Sequence, residues 1–195
     1  MQEEVRIDLK DSTKDFLRVV WPTISKNCSE GVITVCEGGA RNGLSILDIH
    51  SGIDFLQRLP GGVRGIASRI QWVEKCPWNT YTVRSKRPSG NKTELEKRLN
   101  HSGFLYPHLT VHAYVKKPRG AGELLVAHVC ETKKLFSFIE SKRNLITTNS
   151  NECGVWLQSN PSDDVEFLCV DASKVDGSRS FSPPPFDWDS LFEAA

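Results

Sequence analysis

Residues 52–72 read GIDFLQRLPGGVRGIASRIQW. Two apolar segments flank Leu59-Pro60-Gly61-Gly62, a turn signal, because proline presets φ and glycine accepts positive φ. The stretch predicts a β-hairpin with an acid, Asp54, on one arm and two polar residues, Arg69 and Gln71, inside the other. Strand alternation puts Ile66, Ser68 and Ile70 on one face of the second arm and Arg69 and Gln71 on the other.

Outward from the hairpin, Ser12 predicts the cap of a helix over residues 13–24, where Phe16, Val19, Val20 and Ile24 recur at helical spacing and Pro22 disturbs the last turn. Strands are expected over 32–37, in 43–57 with an interruption near Ser51-Gly52, over 63–73 and over 81–87. Residues 92–102 read as a short surface helix, with Leu95 and Leu99 four apart among polar positions. Residues 109–115 and 123–131 read as paired strands across a Pro-Arg-Gly-Ala-Gly turn, 133–141 as a helix and 165–171 as a late strand. The sum is an α/β (α+β) chain, a single domain with a central mixed β-sheet flanked by helices. The globular part spans 1–175. Residues 176–195 contain a Pro-Pro-Pro run that cannot join a core strand, and read as a flexible acidic tail.

The chain's 195 residues suit one domain of ordinary size. With 38% apolar and 25% charged residues it reads as a soluble globular protein, and a formal charge of +1 gives no global bias toward nucleic acid or membrane. That sum hides a separation. Between Arg84 and Arg98 six basic residues face two acids, whereas from Asp176 onward four acids face Arg179 alone. The N-terminal MQEEVRIDLK lacks the order of a signal peptide, and no apolar run reaches the roughly 18 residues of a membrane helix. A cytoplasmic location with reduced cysteines is expected, and none of the six cysteines has zinc-like spacing.

A helix, then strands, then an acid followed across a hairpin by a polar pair on the adjacent strand resembles the PD-(D/E)xK nuclease superfamily. The resemblance spans about residues 12–115 and implies a restriction-endonuclease-like fold and metal-dependent hydrolysis of nucleic acid, with DNA the expected partner. In that superfamily the acid and a following Glu/Gln-x-Lys hold a divalent metal and orient water. Carboxylates on neighbouring strands, about 5 Å apart, can share a Mg²⁺ or Mn²⁺, which makes hydroxide accessible near neutral pH. On this resemblance Asp54 is the metal-binding aspartate, with Glu37 or Asp48 as a second ligand. Arg69 stands as a phosphate or transition-state stabiliser and Gln71 as an orienting group. The motif departs from the family: Arg69 precedes Gln71 and no acid accompanies them, and arginine is a poor proton acceptor. The alternatives stay open: Asp54 as a turn or cap residue, Arg69 and Gln71 on a solvated strand face, and a non-catalytic DNA- or protein-binding module.

Arg84, Lys86, Arg87, Lys92 and Arg98 surround the polar turn Pro88-Ser89-Gly90-Asn91, a composition suited to phosphate contact. Trp72, Trp78 and Tyr81 are candidate base-stacking platforms. His108 and His112 lie about 13 Å apart along an extended strand, too far to share a metal. His50 is the histidine nearest Asp54 in the sequence. In the tail, Trp188-Asp189-Ser190-Leu191-Phe192 resembles the short peptide with which replication and repair proteins bind a sliding clamp. That implies a protein partner gripped through Trp188, Leu191 and Phe192, although the usual leading glutamine is absent. The same acidic segment can instead fold back on the basic one.

Overall fold

The hairpin forms where the sequence places it. In the computed structural model, which describes residues 2–28, 31–36, 44–90, 92–99, 106–148, 152–160 and 164–183, β2 (Phe55–Leu59) turns through Pro60 and Gly61 into β3 (Gly62–Val73). The two pair antiparallel from Phe55–Ile66 to Leu59–Gly62. β1 (Val32–Val35) pairs antiparallel with β2. On its other side β3 runs parallel to β5 (Leu109–Lys116), which pairs antiparallel with β6 (Leu124–Glu131). β10 (Arg179–Phe181) adds antiparallel to β6, giving the order β1-β2-β3-β5-β6-β10 among the described residues. The expected central mixed sheet of a single α/β domain is this one. A second sheet holds β4 (Thr80–Lys86), β9 (Val165–Asp171), β8 (Val155–Asn160) and the two-residue β7 (Thr147–Thr148), in the order β4-β9-β8-β7.

One face of the first sheet is covered by the N-terminal helix. α1 (Gln2–Asp15) passes through a π-helical stretch, Phe16–Val20, into α2 (Trp21–Ser25). Phe16, Val20 and Ile24 are fully buried and meet Phe55, Ile66, Ile70, Val111, Ala113 and Val115, each such burial contributing about 1.5–3 kcal/mol for a large side chain. Phe16 stacks on Phe55 with ring centroids 4.1 Å apart. Asp15, also fully buried, ties the helix to the sheet, accepting from Trp72 Nε1 and from the Gly120 N–H, both at 2.8 Å. The opposite face meets the second sheet and the amphipathic α5 (Thr132–Ser141) in a cluster around Tyr81, Val83, Leu135, Phe136, Ile139, Leu168 and Val170.

Four sequence expectations change. Ser12 does not cap a helix: α1 starts ten residues earlier in a segment rich in helix formers, and the hydroxyls of Ser12 and Thr13 both donate to the Leu9 carbonyl at 3.0 Å. Residues Ser45–Ser51 form a helix, α3, where a strand was expected. It ends at Gly52, whose φ of +56° supplies the left-handed cap, and its C-terminal carbonyls are held by side chains from α4 (Glu94–Leu99). The 92–102 segment does form that helix, opened by a reciprocal Thr93/Glu96 capping box, but α4 is not merely a surface element, because Arg98 is buried. Finally, the ordered fold passes residue 175: β10 lies in the main sheet, and Ser178 hydrogen-bonds the buried Tyr81 hydroxyl at 2.9 Å.

The loop joining β5 to β6 leaves no room at Gly122, where an added Cβ would lie 1.7 Å from the Lys116 carbonyl oxygen. Backbone cannot move aside as a flexible side chain would. Gly122→Ala is expected to cost at least about 2 kcal/mol, read as a drop in the urea midpoint, and an unchanged midpoint would contradict the packing described.

Candidate functional site

Asp54 sits immediately before β2, with its backbone continuing the ladder: its N–H donates to the Ile66 carbonyl at 2.9 Å and its carbonyl accepts from Cys36 at 2.8 Å. The Asp54 carboxylate reaches across to β3 and accepts the Ser68 N–H at 2.5 Å. Beside it opens a cleft of about 110 Å³ between the two sheets. Strand β3 contributes Ala67, Ser68 and Arg69, β4 contributes Tyr81, Thr82 and Val83, and β5 contributes Thr110 and His112. Helices α3 and α4 add Asp48, Glu94, Lys97 and Arg98, and Arg87 comes from the segment between β4 and α4.

Asp54, Asp48 and Arg69 are therefore brought together. Gln71 is not: it lies two residues further along β3 opposite Tyr114, outside the cleft lining. The residues of β3 that sit beside Asp54 are Ala67 to Arg69, one strand period earlier than the Arg69–Gln71 pair read from the sequence. The face carrying Arg69 is not solvated either, since the second sheet covers it. The Arg69 guanidinium lies 4.7 Å over the Phe167 ring and 3.7 Å from the Glu94 carboxylate. Glu37, Trp188, Leu191 and Phe192 lie outside the described residues.

The basic segment divides by role. Arg98, 7% exposed, donates to the Ser51 and Gly52 carbonyls, the latter at 2.8 Å, and Lys97 donates to the Ile49 carbonyl at 2.7 Å. Both cations satisfy the C-terminal carbonyls of α3, so Arg98 is a structural group and not a free phosphate contact. Lys86 pairs with Asp164 at 3.2 Å and Glu166 at 3.8 Å. Arg84 lies over Phe167, and its N–H donates to Glu94 at 3.1 Å. Arg87 faces the cleft, and Lys92 is exposed. Of the proposed stacking rings, Tyr81 is buried and Trp72 is engaged by Asp15, while Trp78 stays 56% exposed.

Electrostatically, burial alone would raise the Glu94 carboxyl, but Arg69, Arg84, the Arg84 N–H and Arg98 outweigh it and hold it below its ordinary value. His112 is 1% exposed, and its Nδ1 accepts the Thr82 N–H at 2.9 Å. Burial first, then Arg69 and His128, push its pKa well down, so the ring is neutral with its proton on Nε2. His108 Nδ1 accepts from the Gly65 N–H at 3.1 Å, and His50 is exposed on α3. All six cysteines lie among the described residues and are unbonded to one another. Burial lifts Cys130 to about 12 and Cys169 to about 11, so these thiols stay protonated.

The described residues alone do not supply a Mg²⁺ or Mn²⁺ donor set. Among the described residues no three carboxylate, imidazole or thiol side chains gather to hold a cation, and Asp48 and Asp54 share their cleft with four arginine and lysine side chains. Also among the described residues, no helix is long and apolar enough to cross a membrane. Compared with models of known families, with curated proteins and with solved structures, the chain matches none.

Proposed function

We propose that this chain is a non-catalytic nucleic-acid-binding module built on a nuclease-like core. The observation that carries the reading is the cleft beside Asp54, in which an acid at the hairpin meets Arg69 of the mixed sheet and Arg87 from the segment after β4. The helix, the hairpin and the position of Asp54 beside β3 support the likeness to the PD-(D/E)xK superfamily; arginine at 69 and alanine at 67 supply neither a metal ligand nor a base. Exposed Lys92 and Trp78 extend the contact surface. DNA is the proposed partner, in the cytoplasm. The tail residues Trp188, Leu191 and Phe192 are the proposed contact to a second protein, such as a sliding clamp.

Metal-dependent hydrolysis is the second reading, favoured by Asp48 and Asp54 lining one cleft. Its third ligand would come from outside the described residues, where Glu37 lies. Incubating single-stranded and duplex DNA with the protein and with Asp54→Ala, in Mg²⁺, Mn²⁺ or EDTA, separates the two. Binding is expected without cutting, with an affinity that falls with salt, and Arg87→Ala and Lys92→Ala are each expected to reduce the salt slope by about 1. Metal-dependent cutting that disappears in Asp54→Ala would replace the binding reading with the enzymatic one. Absence of salt-dependent binding to either DNA would leave a protein-binding domain.

A further inference from the structure

Two uncharged donors of cleft residues have no acceptor among the described residues: His112 Nε2 and Thr82 Oγ1. Both are buried atoms, and leaving such a donor unmade forfeits its hydration with nothing in return, which native folds rarely tolerate without cause. His112 cannot relieve this by changing tautomer, because its Nδ1 is committed as acceptor to the Thr82 N–H. The cleft's 110 Å³ is several times the roughly 10–15 Å³ that one water needs, so it can hold a larger group.

The surrounding charges define that group. Lys97 and Arg98 are spent on α3, whereas Arg69 meets Glu94 only at a long 3.7 Å, and Arg87, whose charge feels Glu94 and Asp48, has an Nε with no partner among the described residues. Of the three acids lining the cleft, Asp54 is occupied by the Ser68 N–H, Glu94 serves as the counter-ion of Arg69, and Asp48 acts on the charges of Lys97 and Arg87. Two guanidinium groups and two neutral donors converging on one space ask for a ligand with several acceptor oxygens and negative charge.

We infer that the cleft beside Asp54 is a metal-free site for a phosphate-type oxyanion, bound by Arg69, Arg87, His112 Nε2–H and the Thr82 hydroxyl, with Glu94 holding its place in the empty state. This deepens the reading above, since the terminal phosphate of a nucleic acid would present that group; a free or small-molecule phosphate has the same chemistry.

Calorimetric titration of the full chain with inorganic phosphate, in EDTA and in Mg²⁺, tests the site. Binding independent of metal is expected. Arg69→Gln, and His112→Asn, which keeps the acceptor toward Thr82 and deletes Nε2–H, are each expected to weaken it about tenfold or more, the loss of a charge-assisted or buried bond. Should His112→Asn fail to fold, Glu94→Gln decides, because removing the resident counter-ion is expected to tighten phosphate binding several-fold. No phosphate binding, binding only with metal, or a Glu94→Gln variant that binds no better would overturn the inference. Anisotropy with 5′-phosphorylated and 5′-hydroxyl oligonucleotides identifies the source: a preference of about tenfold for the phosphorylated end, the same single-bond scale, assigns it to nucleic acid. Phosphate binding with neither oligonucleotide bound supports the site and ends the nucleic-acid reading. Equal binding of both oligonucleotides without phosphate binding does the reverse.

Discussion

Asp15→Ala is expected to lower the unfolding free energy by about 3–5 kcal/mol, chiefly because two buried neutral donors lose their acceptor. The carboxylate is fully buried and accepts three hydrogen bonds: Trp72 Nε1 at 2.8 Å, the Gly120 N–H at 2.8 Å and Arg18 at 2.9 Å. Truncation leaves the indole and the Gly120 amide without an acceptor, at about 1–3 kcal/mol each. It also cuts the tie between the N-terminal helix, β3 and the β5–β6 loop, weakening the face that buries Phe16 and Val20. Against a typical stability of about 5–15 kcal/mol this is a large fraction, and it corresponds to a drop in Tm of about 6–20 °C for a chain of this size. Asp15→Asn retains one acceptor oxygen and should lose less. Thermal and urea unfolding followed by circular dichroism measure both variants; a loss under about 1 kcal/mol in Asp15→Ala would refute the network's importance.

Mild acid is expected to destabilise the protein through two opposed histidines. His112 on β5 and His128 on β6 face each other across the ladder, and both are buried. In its neutral form His128 donates from Nε2 to the Trp78 carbonyl at 3.2 Å and accepts at Nδ1 from the Ser180 hydroxyl at 2.8 Å. Its pKa is lowered by burial, which outweighs the Trp78 carbonyl and Asp171. That of His112 is pushed further down by burial, Arg69 and His128. Both folded values lie below the unfolded value of about 6.5, so the unfolded chain binds more protons in acid. Stability is therefore complete above about pH 6.5 and falls below it, at up to about 1.4 kcal/mol per pH unit for His112. His128 adds a like slope until its own folded pKa is passed. Glu94, held low in the fold, adds its loss only at more acidic pH, below the ordinary carboxylate value. Melting curves from pH 7.5 to 5 should show a declining Tm, and His112→Asn should remove about one proton's worth of slope. A flat Tm across this range, or a slope unaltered in that variant, would contradict the assignment.

The hairpin, its neighbours and α5 were legible because their information is local. Pro60-Gly61 dictates a turn whatever surrounds it, the β-branched runs of β3, β5 and β9 favour strands, and Leu135, Phe136 and Ile139 recur at helical spacing. Residues 45–51 were misread for the complementary reason. SILDIHS has the apolar content of a strand, and its helical state relies on cations from α4 that reach its C-terminal carbonyls from nearly fifty residues away. β10 was hidden likewise: three residues of weak strand character pair because the edge of β6 stands ready for them.

The same division runs through the cleft. Sequence by itself determined the α/β class, the hairpin, the acid at 54 and the arginine at 69, since each follows from residue type and spacing along a short segment. Tertiary packing settles which strand period meets Asp54, that Gln71 stands apart, that Arg98 serves the scaffold, and that His112 and Thr82 from different strands line the same space. Those outcomes depend on the parallel register of β3 with β5 and on the second sheet closing over them. Register is a sum of many weak contacts between distant segments, and no short stretch of chain carries it.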